Sequence, residues 1–145
     1  MAVTFQNTDL IGAGTQFSYT SAFEGLFVLG GTTIASTGAV AIFSTQSDSL
    51  LQVDGAVYSG TGNAAYFTSA GADMSIGLNG IVSSGTASHL TAAIGFSGAS
   101  TFSNAGQVTA LQGLGVVAIN SDNEISNSGS ILAASGVWLG YGGGT

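Results

Sequence analysis

Leu51-Gln-Val-Asp-Gly55-Ala-Val57 sets an apolar side chain at every second place on both sides of a glycine. Alternation at period two marks an extended strand covered on one side, and glycine between such runs marks a bend. The same arrangement returns along the whole chain. Gly31, Gly55, Gly80, Gly106 and Gly129 serve as anchors 24, 25, 26 and 23 residues apart, and Asn7 stands 24 before the first. Four places before each anchor lie Val3, Phe27, Leu51, Ile76, Phe102 and Ile125; two places before lie Phe5, Leu29, Val53, Leu78, Asn104 and Asn127. Two places after the glycines come Thr33, Val57, Val82, Val108 and Ile131. Ten places after come Phe17, Ala41, Ala65, Leu90, Val116 and Leu139, and twelve after come Tyr19, Phe43, Phe67, Ala92, Ala118 and Tyr141.

A side-chain type that returns at this period is most simply a coil whose turns stack. No stretch follows the 3.6-residue period of a helix, so the expected fold is all-β: one parallel β-solenoid over residues 1–145, with about six turns of 23–26 residues. Turns about 4.8 Å apart give a rod roughly 29 Å tall. Columns become ladders. Phe27, Leu51, Ile76, Phe102 and Ile125 form one core ladder, and Phe43 lies over Tyr19 and under Phe67 in another. Asn104 and Asn127 replace apolar residues at an inward site, where stacked amides bond one another along the axis. The small residues seven places after the anchors, Gly14, Gly38, Gly62, Ala87, Gly113 and Gly136, mark a sharp corner that wants φ > 0 or close approach.

The charge is unusual. A domain of 145 residues would carry about 36 charged side chains, and this one has seven acids, no lysine and no arginine. Nucleic acid and anionic membranes are bound through Lys and Arg, so a net charge of −7 argues against both. The 45% hydrophobic content, held in register, argues against disorder. Cysteine is absent, which excludes disulfides and thiolate metal sites. Proline is absent too, as a backbone that spends its N–H groups on ladders requires. No run reaches the length of a signal peptide's core or a membrane helix, so export is expected through an address read elsewhere.

Asn127-Ser-Gly-Ser-Ile-Leu-Ala-Ala-Ser-Gly-Val137 and Asn79-Gly-Ile-Val-Ser-Ser-Gly85 resemble the right-handed parallel β-helix of secreted bacterial adhesins, of the filamentous-haemagglutinin and autotransporter-passenger type. Met1-Ala-Val-Thr-Phe-Gln-Asn7 is similar to the N-terminal region of large type I-secreted proteins that often end in RTX calcium-binding repeats. The resemblance implies a rod at the cell surface or outside the cell. RTX nonapeptides are not present: Gly140-Tyr-Gly-Gly-Gly-Thr145 has the glycines without the aspartates, so calcium binding of that type does not carry over.

Seven places before the anchors stand Glu24, Asp48, Asp73, Ala99 and Asp122. Carboxylates stacked about 4.8 Å apart would repel. One reading is a Ca²⁺ held between turns by this column; the plainer one is solvated turn residues bonding the local backbone. Gly113-Leu-Gly115-Val-Val-Ala118 imitates a dinucleotide fingerprint, but its residues already belong to repeat columns. His89 is the sole imidazole and reads as a surface residue. Asp48 and Asp73 could satisfy the spacing of a hydrolase pair, yet nothing else supports catalysis and the chain is not expected to be an enzyme. Trp138, Tyr141, Tyr58 and Tyr66 read as aromatics packed along the rod or able to stack on sugars.

Core columns run almost to both termini without polar capping elements, so either further turns continue the coil or copies stack end to end. The expected role is structural: an extracellular or cell-surface β-solenoid that assembles with itself into a filament or biofilm fibre. The alternative is an adhesin shaft that engages glycans or host surface, with Ca²⁺ as an aid.

Overall fold

The computed structural model describes residues 2–85, 91–120 and 122–140. Turn one consists of β1 (Ala2–Gln6), β2 (Leu10–Gly12) and β3 (Phe17–Ser18); turn two of β4 (Glu24–Val28), β5 (Thr33–Ser36) and β6 (Ile42–Ser44). Turn three is β7 (Leu50–Val53), β8 (Ala56–Ser59) and β9 (Ala65–Phe67), and turn four is β10 (Ala72–Ile76), β11 (Ile81–Ser84) and β12 (Ala92–Phe96). Turns five and six have two strands each: β13 (Ser100–Asn104) with β14 (Gln107–Ala118), and β15 (Glu124–Asn127) with β16 (Ser130–Leu139). Every pairing is parallel and joins one turn to the next. The chain is therefore a parallel β-solenoid of about six turns, with no helix among the described residues.

One sheet runs β1-β4-β7-β10-β13-β15 and makes the first face of the coil. The second and third faces are separate strands through turn four and then fuse, because β14 pairs with both β11 and β12 and carries β16 on its other edge. The period-two pattern acts as elementary geometry demands. In β7, Leu51 and Val53 are buried while Leu50 and Gln52 are not.

The backbone register corrects part of the column assignment. The inner ladders of the first face are Thr4–Leu26–Leu51–Met74–Phe102–Ile125 and Gln6–Val28–Val53–Ile76–Asn104–Asn127. Leu51, Phe102 and Ile125 thus share a column, but Phe27 points outward over Gln52, and Ile76 belongs to the second ladder. The cause is corner length. The chain takes four residues from Val53 to Val57, yet six from Val28 to Ile34 and six from Ile76 to Val82, so a fixed count from each glycine slips in turns two and four. The long corners leave Leu29 and Leu78 exposed.

Four of the five anchor glycines are nonetheless equivalent. Gly55, Gly80, Gly106 and Gly129 occupy one rung position, and a Cβ at any of them would run into backbone carbonyls of the preceding turn. In turn two that position belongs to Thr32, whose carbonyl accepts from Ala56 N, while Gly31 takes a left-handed conformation at φ 82°.

The corner between the second and third faces is where the small-residue column was expected, but it works differently. Gly14, Gly38, Gly62, Gly113 and Gly136 do not have positive φ, and Ala87 lies outside the described residues. The bend is held by buried serines. Ser36 Oγ accepts from Ala39 N at 2.9 Å and donates to Ala13 O of the previous turn at 3.2 Å. Ser59 repeats this with Gly62 N at 2.9 Å and Ala39 O at 2.7 Å, and Ser84 donates to Gly62 O at 2.7 Å. Left-handed residues are found instead at the corner before the first face, where Phe23, Asp48 and Gly71 have φ of 58°, 54° and 80°.

The inner aromatic stack also differs from expectation. Phe43 pairs with Ser18 and Tyr66 on the outside, and Ser44 sits between Tyr19 and Phe67. Tyr19 and Phe67 still approach to 6.0 Å across that small residue, and the stack continues through Phe96 at 5.6 Å to Phe102 at 6.1 Å. Phe96 takes the place assigned to Ala92 because turn four is longer between its second and third faces, where Ile94 stacks on Ala65.

Candidate functional site: the open ends of the coil

Each sheet stops at a strand whose outer edge meets no other strand among the described residues: β1, β2 and β3 at one end, β15 and β16 at the other. Such edges offer rows of N–H and C=O groups to a further strand. The interior is open as well. Val116 and Ala118 are fully buried, whereas Val137 and Leu139, which continue their columns in the last turn, are 43% and 61% exposed. At the first turn Leu10 and Phe17 are half-buried against the core.

One inward column changes chemistry toward the ends. It is apolar at Val28, Val53 and Ile76, and amide-bearing at Gln6, Asn104 and Asn127. Asn104, 2% exposed, donates from Nδ2 to Asn127 Oδ1 at 2.7 Å and accepts from Gly106 N at 3.1 Å. Gln6 donates from Nε2 to Thr8 O at 2.6 Å. Its membership of the column was not legible from the anchor count, which placed Phe5 there; Phe5 faces outward against Phe27, 5.2 Å between rings.

The carboxylates do not form a single file. Glu24 is level with Ala2, Asp48 with Gly71, and Asp73 with Leu50 and Thr101. Glu24 Oε2 instead accepts from Thr20 N at 2.8 Å and Ser21 N at 3.3 Å, which ties down its own turn. Asp73, Asp122 and Glu124 border a shallow recess of about 460 Å³. Among the described residues no three of His, Asp and Glu converge where an ion could be held.

Tyr58 lies on the second face, whereas Tyr66 and Trp138 share an outward column of the third, with Gly95 and Val117 on the rungs between them. Tyr66 packs against Phe43 at 6.0 Å, and its hydroxyl is 2.8 Å from Ser97 Oγ. Gly113–Ala118 lies inside β14. His89, Leu90 and Tyr141 lie outside the described residues. A notch of about 530 Å³ opens over the short corner of turn three, between the long corners of turns two and four, with Asp54 and Asn79 in its wall. No helix of the described residues is long and apolar enough to cross a membrane.

Compared with known proteins, the chain matches no family model, no curated protein and no solved structure.

Proposed function

We propose that this chain is a structural protein whose copies stack end to end into a filament at or outside the cell surface, as in a biofilm fibre. The observation that carries this reading is the pair of open ends, each presenting strand edges unpaired among the described residues around an exposed continuation of the core. Stacking covers the apolar ends Val137 and Leu139, which water otherwise wets at about 25 cal/mol per Å². The resemblance to haemagglutinin-type and autotransporter passenger rods supports an extracellular place, and the absence of Lys and Arg leaves trypsin-like proteases no site. No residue in this reading performs catalysis. The test is electron microscopy of the purified chain over a concentration series: fibres with an axial repeat near 29 Å are expected, and compact monomers at the highest concentration would refute the proposal.

A second reading has one observation in its favour, the outward aromatic pair Phe43 and Tyr66 on the third face. It makes the rod an adhesin shaft that engages glycans, with Ca²⁺ as an accessory. Binding on a glycan array, together with a melting point raised by Ca²⁺ and returned by chelator, would favour it over the filament.

A further inference from the structure

We propose that the joint between copies is an in-register, head-to-tail continuation of the coil, in which Asn127 of one copy donates to Gln6 of the next. This rests on the stacking reading above and specifies its contact. Three observations lead to it. Amides occur in one inward column at its two ends, Gln6 in the first turn and Asn104 with Asn127 in the last two, with an apolar stretch between. Their hydrogen bonds have a direction: Asn104 Nδ2 donates to Asn127 Oδ1, and Gln6 uses Nε2 on Thr8, which leaves Gln6 Oε1 to accept. Asn127 Nδ2 makes only a long contact of 3.4 Å to Gly129 O of its own turn, so turning it one rung further costs little.

The geometry of the end turns fits too. Gln6 to Leu10 and Asn127 to Ile131 both span four residues, so the short corner of turn six matches that of turn one, whereas turns two and four carry the longer corner. Of the other inward columns, three continue apolar upon apolar as Ile131 on Leu10, Val137 on Phe17 and Leu139 on Tyr19, and a fourth sets Ile125 on Thr4. The unbroken β16 would lie across separate β2 and β3, an arrangement the molecule already contains where β14 lies across β11 and β12. Among outward columns, Glu124 falls next to Val3 and Ser126 next to Phe5, so no carboxylate is set against another. A contact between unlike ends does not close on itself and generates an open fibre.

Cysteine pairs test the register, because the chain has none of its own. Neighbouring strands are about 4.8 Å apart, within the roughly 4.4–6.8 Å Cα separation that a disulfide spans. Phe5→Cys mixed with Ser126→Cys, assembled and then oxidised, should give a covalent dimer that neither gives alone. Ile11→Cys with Leu132→Cys should do the same on the second face and serves where the first pair fails to fold, as circular dichroism would show. Fibres that form but cross-link 126 to 126 or 5 to 5, or link at neither pair, overturn the head-to-tail joint while the stacking reading survives. A wild-type chain that forms no fibres refutes both. Gln6→Leu should raise the concentration for half-assembly about tenfold, as one lost hydrogen bond does, and an unchanged value would remove the amide contact from the joint.

Discussion

In turns two to four the chain bends after Ser36, Ser59 and Ser84; in turns five and six Ala110 and Ala133 stack in the same column, and β14 and β16 carry the ladder through the corner with a register shift between Ala110 and Leu114. The bend needs a buried acceptor for the N–H three residues on and a donor for the carbonyl of the turn below, and a hydroxyl provides both. Alanine provides neither. The backbone then satisfies its own groups by continuing as a ladder strand around the corner, so one strand serves both faces. A change of one oxygen per turn thus accompanies a change from two separate strands to one strand that passes the corner with a register shift.

The comparison can be broken most severely at the core. Leu51→Lys places a charge where exposure is zero and should unfold the coil, at about 4 kcal/mol or more. Ile125→Lys, in the same ladder but in the half-buried last turn, should cost far less, and Phe43→Lys should leave a folded protein because Phe43 faces outward. Chemical denaturation of the three decides; equal losses would show that the two halves share one core after all.

Next in size are the corner glycines. Gly80→Ala drives a Cβ into Val53 O and the Ile76 side chain and should cost roughly 2–4 kcal/mol, as backbone-clash substitutions do. Gly136→Ala meets nothing within 4 Å and should be close to neutral by the same measurement.

Ser59→Ala strands buried partners at the bend and should cost about 1–3 kcal/mol. Thermal melting of Ser59→Ala beside Ala110→Ser sharpens the contrast, since the second adds a hydroxyl where the strand already passes the corner without one.

The smallest effect at neutral pH is an alkaline one. Burial, reinforced by the charge of Glu24, holds the Tyr19 phenol protonated well above its usual range, and its hydroxyl donates to Leu50 O at 2.7 Å. The folded chain therefore binds this proton more tightly than the unfolded one. Stability from Tyr19 is complete below about pH 10 and declines above it by about 1.4 kcal/mol per pH unit. Tyr19→Phe should flatten that slope in urea titrations between pH 10 and 12.

The coil was legible because alternation and a recurrent glycine are both local signals. The register was legible just after each corner and less so before it: Val57, Val82, Val108 and Ile131 fall in one column as counted, while Phe27 and Ile76 slip by one and two residues beside longer corners, and Val3 and Phe5 slip by one because Asn7 stands one place early. Nothing local announces an extra pair of residues in a bend already rich in Gly, Asn and Thr. The serine column was visible in principle at 36, 59 and 84, but it was hidden among many solvent-facing serines. The acids misled for the same reason as Phe27, since equal distance from an anchor is not equal height on the coil.

Because successive turns are joined by ladder hydrogen bonds that run along the long axis, a pull on the two ends loads those bonds one row at a time. Such a rod yields in steps. Each step frees between 21 and 29 residues, the separations from Val116 to Val137 and from Ala65 to Ile94, and lengthens the chain by roughly 70–100 Å. A strand of these molecules under tension would behave as an extensible tether with a sawtooth force trace, its teeth set by the residue count of each turn.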